Sequence, residues 1–343
     1  MICSIKLLKK FVIVSGLLLA SCDYQHEDIK GYYKELRDLL IEDGDREKKY
    51  DLSKYQVPQS RFFSYKKAHA RSNISILEFF SLKECNLRYV VAQGNSVLGK
   101  IAAPSQKLKY QLDFIYYSNS CISILKSNNK LELSKKLTII LDEKKQHLSQ
   151  YIWQAIFSGP EFKSFWQMKN HPSRFSNEKI LKAKNAFENL NNFIDQIIFG
   201  VHQFDIKSFE KNFGVIRSNI GGELLQDIMG YKIYLSKLND LLNNENLLRE
   251  RFCMRSDSPE IFEKYKQIIF PMWETQHMIK SDLLKKRYFD IIKLIQKIES
   301  KISEGEPIEY RDWRINRDKN FELGFMEIEK HYKYLRKVKN ICS

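Results

Sequence analysis

The sequence predicts an all-α fold, an irregular multi-helix bundle. Three observations carry that expectation. The 343 residues include only 13 Gly and 7 Pro, so the punctuation that short strands and tight turns demand is scarce. Hydrophobic residues make up 43 % of the chain, ample for a buried core. Apolar residues recur at three-to-four spacing almost throughout, the period of a helix and not of a strand.

The first segment departs from that pattern. Lys6, Lys9 and Lys10 precede an apolar run from Phe11 to Ala20, the arrangement of a secretory signal peptide. The run is too short to span a bilayer, which takes about 20 apolar residues. Leu19-Ala20-Ser21-Cys22 looks like the lipobox of bacterial lipoproteins. Small side chains at 20 and 21 suit a membrane peptidase, and the Cys22 thiol is the nucleophile that takes a diacylglyceryl group. Each buried methylene adds about 0.8 kcal/mol, so several acyl chains anchor durably. The expected organisation is therefore a signal peptide over 1–21, a lipidated tether over 22–28 and a single helical domain over 29–343. The fold class in full is an irregular multi-helix bundle behind an N-terminal lipoprotein signal peptide, facing the periplasm. Asp23 resembles the inner-membrane retention residue of enteric lipoprotein sorting, which favours the inner over the outer membrane.

Within the body, Ile29 to Ile41 is amphipathic and ends at Asp43-Gly44-Asp45. Residues 50–70 are mixed, with Val57-Pro58, Phe62, Phe63 and Tyr65. The spacing predicts one helix over Ser75–Gln93, with Ile76, Leu77, Phe80 and Leu87 on its buried side. A loop follows through Asn95–Pro104, with Gly99 at an unusual backbone angle and Ser105 capping the next helix. One helix is expected from Leu133 to Ile156, stopped by Gly159 as a C-terminal cap ahead of Pro160. Further helices cover Asn177–Phe199, Glu223–Leu248, Pro259–Ile269 and Met272–Ser300. After the break at Gly305-Glu306-Pro307, Trp313–Lys339 reads as one helix or two. His171-Pro172 is the one candidate subdomain boundary.

Removing residues 1–21 takes away three lysines and no acid, so the net charge falls from +15 to +12. A basic balance suits nucleic acid, but export excludes that partner and leaves anionic envelope polymers or another envelope protein. Lysines scattered along nearly every segment also fit a plain solvated surface. Of six cysteines, Cys3 leaves with the leader and Cys22 takes lipid. Cys85, Cys121, Cys253 and Cys342 remain in an oxidising compartment, with three connectivities open. Pairing Cys85 with Cys121 and Cys253 with Cys342 is favoured, because it gives each half of the chain a bridge and ties down the C-terminus. Each would contribute about 4 to 5 kcal/mol in the loop-entropy description. Four buried free thiols are the alternative, and the absence of Cys-x-x-Cys argues against zinc.

Three stretches read together carry a family resemblance. They are Asn95-Ser96-Val97-Leu98-Gly99-Lys100 leading into Pro104-Ser105-Gln106, Cys85 with Cys121 around it, and Trp153–Phe162. With the lipobox and the length, the chain resembles an uncharacterised bacterial lipoprotein family catalogued as domain of unknown function 3080. The resemblance implies the address and a single domain; it transfers no activity and no functional residue.

The candidate binding residues are Asn95, Ser96, Lys100, Ser105 and Gln106, whose amides, hydroxyls and ammonium could receive a phosphate or carboxylate. The same residues also make an ordinary helix connection. Trp153, Phe157, Phe162, Phe165 and Trp166 could line an apolar groove or fill the core. Ser64 with Lys67 and Ser123 with Lys126 form Ser-x-x-Lys pairs, and Ser127-Asn128-Asn129 completes a Ser-x-Asn. No Lys-Thr-Gly accompanies them, so acyl-enzyme chemistry is not indicated. The seven histidines are dispersed without a metal motif, and Glu304, Glu306, Glu309 and Asp312 read as a solvated turn. No catalytic residue, metal site or cofactor is expected. The leading expectation is a non-enzymatic binding or scaffold protein anchored by N-terminal acyl chains. The alternative is an envelope hydrolase whose site assembles only on folding.

Overall fold

The order of apolar stripes sets the order of helices. The computed structural model describes residues 29–41, 74–168, 176–203 and 205–342, and among these every regular element is helical. The leader, Cys22 and its tether, residues 42–73 with Ser64 and Lys67, and His171-Pro172 lie outside the described residues.

The main core is built on three helices that run the same way. α1 (Ile29–Leu40) turns Ile29, Tyr32, Tyr33 and Leu36 inward, and lies along α11 (Ile220–Leu242). Ile29 meets Gly230 and Tyr33 meets Tyr234, so the pairings advance together. α17 (Ile308–Val338) is one helix of 31 residues. It too runs parallel to α11, because Gly324 meets Ile228 and His331 meets Asn239. A Cβ on Gly324 would stand 2.4 Å from Ile228 Cγ1, so only glycine lets these two helices approach so closely.

A second, smaller core lies among α2 (Ile76–Ser81), α3 (Leu87–Asn95), α5 (Pro104–Ser127) and α6 (Leu131–Gln146), joined by the short α4 (Val97–Ile101). The single helix expected over Ser75–Gln93 is in fact two. A turn at 82–86 buries both Leu82 and Cys85, and Cys85 is bonded there to Cys121. Leu77 and Phe80 consequently point outward, 82 % and 67 % exposed, where burial was expected. Ser75 and Glu78 close a reciprocal capping box that starts α2.

The helix expected from Leu133 to Ile156 also divides, at His147, whose ring and N–H both engage the Glu143 carbonyl. α7 (Leu148–Phe157) follows, then α8 (Pro160–Phe165). Gly159 precedes α8 as its extended N-cap and does not close α7 in a left-handed turn. α9 (Asn177–Ile198) and α10 (Ile206–Ile216) complete this half.

Beyond α11 the chain runs through α12 (Glu245–Arg249), α13 (Ser258–Lys264), α14 (Phe270–Met272), α15 (Met278–Arg287) and α16 (Lys293–Lys301), with wide π turns between them. Tyr265, Ile269, Trp273, His277 and Ser281 are all buried and stand four residues apart. An ordinary helix would rotate such a row by about 40° at each step. The π turns at Tyr265–Ile269 and Trp273–His277 take up that drift and keep the row facing inward. Pro271 follows the first of them without ending the helix, since the regular hydrogen-bond ladder is already interrupted there.

Candidate interaction groove

The expected anion-receiving segment is largely helical. Asn95 ends α3, Ser96 caps α4 by accepting from the Gly99 N–H, and Lys100 is exposed. Gly99 has no positive φ; it supplies room, because a Cβ there would lie 2.2 Å from the Gln93 carbonyl oxygen. Ser105 sits inside the first turn of α5 and does not cap it. Ser105 Oγ and Gln106 Nε2 both donate to Glu210 Oε1, at 2.7 and 2.9 Å, so a carboxylate of the chain itself occupies these donors and joins α5 to α10. Ser123 Oγ bonds to the Asn119 carbonyl, one turn back on its own helix. Trp153, Phe157, Phe162, Phe165 and Trp166 are all core, none more than 3 % exposed. The structure bonds Cys85 to Cys121 and Cys253 to Cys342.

Two buried polar clusters sit on the inner face of α17, and the sequence reading foresaw neither. In the first, Arg317 grips Glu299 with two hydrogen bonds of 2.8 and 2.7 Å, and Tyr310 donates to the same carboxylate at 2.5 Å. Burial opposes the Arg317 charge, but the Glu299 carboxylate beside it prevails and holds its pKa above the usual value. The guanidinium lies over Trp166 and Trp313, 5.0 and 5.2 Å from their ring centres. Glu306 was expected in a solvated turn; its side chain is buried and paired with Arg311 and Arg314.

The second cluster brings together His277 and His331. Asn239 spends its amide N–H groups on the Glu327 carbonyl and carboxylate, so its oxygen faces His331 Nδ1 at 2.8 Å. That ring nitrogen must donate, leaving Nε2 to accept from the Tyr32 hydroxyl at 2.8 Å. Burial and the neighbouring His277 push the His331 pKa down to about 3, so the ring is neutral. The network pins α1 to α11 and α17 from inside, at groups without solvent access. Among the described residues, no group of three His, Cys, Asp or Glu side chains is placed to hold a metal ion.

The outer face of α17 is different. Between it and the segment α15–α16 runs an open groove of about 860 Å³. Tyr288 forms its floor, resting on Phe321 and Phe325 with ring centres 5.0 and 5.3 Å apart. Phe289, Ile315 and Met326 line it while 55 %, 54 % and 44 % exposed. Lys285 and Lys293 rise on the α15–α16 side, Glu322 and Glu329 on the α17 side. Asp318 also lies on the α17 wall, paired with Arg317, and Lys319 stands next to it. Side chains of this kind suit apolar contact and charge matching. Off-stripe apolar residues on an otherwise amphipathic helix were the available sequence signal.

Among the described residues no helix is long and apolar enough to cross a membrane. A family model described as "Protein of unknown function (DUF3080)" matches residues 32–269, a span that ends before the groove begins. No curated protein and no solved structure matches the chain.

Proposed function

Because the chain belongs to the DUF3080 family of proteins of unknown function, its own residues must supply a role, and we propose a lipid-anchored, non-enzymatic binding protein of the bacterial cell envelope that engages a protein partner through this groove. The lipobox at Cys22 supports the address. One observation carries the activity: half-exposed Phe289, Ile315 and Met326 set between a basic and an acidic wall. Apolar side chains gathered between two charged walls offer a surface for apolar contact flanked by charge matching. The acidic wall, with Glu322 and Glu329, disfavours an anionic envelope polymer and favours a protein surface carrying both signs of charge.

A photo-crosslinking residue at Phe289, introduced into the full-length protein in intact cells, should give a discrete protein adduct, and one at exposed Ile139 on α6 should not. Cys22→Ser should move the body out of the membrane fraction. No adduct at Phe289, or adducts equally from both positions, would overturn the groove; a Cys22→Ser protein still held through a carbonate wash would overturn the anchor.

A further inference from the structure

We infer that the protein partner of the groove is a second copy of this chain, joined by a two-fold axis that runs along the groove. The inference rests on the reading of the groove as an interaction surface and adds its occupant.

Charge selects the axis. Lys285 Nζ stands 3.7 Å from Glu329 Oε1 across one end of the groove. Tyr288 then packs on Phe325 and Phe321, so the two walls run antiparallel and Lys293 comes level with the turn that carries Lys319 and Glu322. One wall is basic at two heights; the other is acidic at the first and carries Glu322 beside Lys319 at the second. A two-fold axis along the groove lays each wall over the opposite wall of the other copy, height for height, setting lysine against glutamate twice at each level. An axis across the groove would set lysine on lysine and glutamate on glutamate. The pattern is self-complementary under one operator and repulsive under the other.

Chain direction is compatible with the same axis. α17 lines the groove and runs parallel to α11, and α11 runs parallel to α1. A two-fold along the groove therefore preserves the direction of α1, so both copies start their bodies toward the same end. That arrangement suits two chains tethered to one membrane through Cys22, which stands seven residues before Ile29. The axis that charge selects is compatible with a shared membrane. Face-to-face stacking of two helix pairs would also cover Phe289, Ile315 and Met326, as in a four-helix bundle.

The test uses the lipidated full-length chain, in detergent for sedimentation and in cells for crosslinking. Wild type should sediment as a dimer. K285E/K293E and E322K/E329K should each lose at least tenfold in self-association, since each makes the facing walls alike. Mixed with one another they should recover it, because each altered wall then meets its opposite. Lys319→Glu removes the one like charge on the acidic wall and should tighten the dimer. Thermal melts of each variant confirm that the body is folded, and a photo-crosslinker at Ile315 in the wild-type background should yield an adduct of twice the chain mass. A wild-type chain that stays monomeric, or paired charge variants that do not rescue one another, would overturn the dimer. Crosslinks to a different envelope protein in a monomeric chain would keep the groove as an interaction site and reject the second copy; no crosslink at all would reject both.

Discussion

Each face of α17 carries exceptions to the usual placement. Its buried side carries Arg317, Asn320 and His331, and its exposed side carries Ile315 and Met326. On the inside, burial of polar groups is tolerable because each charge or dipole is matched: Arg317 by Glu299, His331 by Tyr32 and Asn239, Asn320 by Lys232 and Asn316. On the outside, Ile315 and Met326 leave apolar area in water. On the proposed reading the inner face answers to stability and the outer face to association, so a substitution on each should move a different measurement.

The largest effect should come from opening the inner face. Glu299→Ala leaves the Arg317 guanidinium buried without its main counter-charge, and removing one partner of a buried pair costs about 3 to 5 kcal/mol. Urea unfolding should show that loss as a lower midpoint with little change in slope. Replacing both partners, as Glu299→Leu with Arg317→Met, should recover most of it. If Glu299→Ala cost less than about 1 kcal/mol, the pair would not be holding α16 to α17.

The histidine cluster gives the same face a pH signature. His331 is neutral in the fold, with a pKa of about 3, whereas the unfolded chain returns it to about 6.5. Between those values the unfolded state binds the extra proton, so stability falls as pH drops below about 6.5. The slope approaches 1.4 kcal/mol per pH unit, and the fall levels off near pH 3, where the folded ring is protonated as well. His331→Gln has no proton to gain there, so its stability between pH 6.5 and 5 should fall less steeply than that of the wild type. Equal slopes would show that His331 is not the sensing group.

Much of this architecture was legible in the sequence, for a physical reason. Amphipathic stripes such as Ile29, Tyr32, Tyr33 and Leu36 must be buried, and a helix is the only element that places them on one side. The break between α2 and α3 was not legible, because Leu82 and Cys85 are brought inward by a turn that apolar spacing alone does not encode. His277 and His331 are separated by most of α15, α16 and α17, so nothing local pairs them. The strict four-residue row from Tyr265 to Ser281 was the clue that wide turns would carry His277 inward. Glu210, a hundred residues away, claims Ser105 and Gln106, a partnership that local spacing does not encode. The groove was missed for the opposite reason: Phe289, Ile315 and Met326 satisfy a helical apolar count while pointing away from the core.

The smallest stability effect belongs to that outer face, and there a null result is the informative one. Ile315→Ser with Met326→Ser removes apolar area that is already half in water, so the melting of a dilute sample should change by no more than about 0.5 kcal/mol. At high concentration the wild type should gain stability by mass action and the variant should not. A large loss at every concentration would mean that these side chains hold the fold together, and α17 would then have one kind of face instead of two. A small loss at low concentration that widens on concentrating assigns the exposed stripe to contact between chains, which the buried charges on the same helix cannot make.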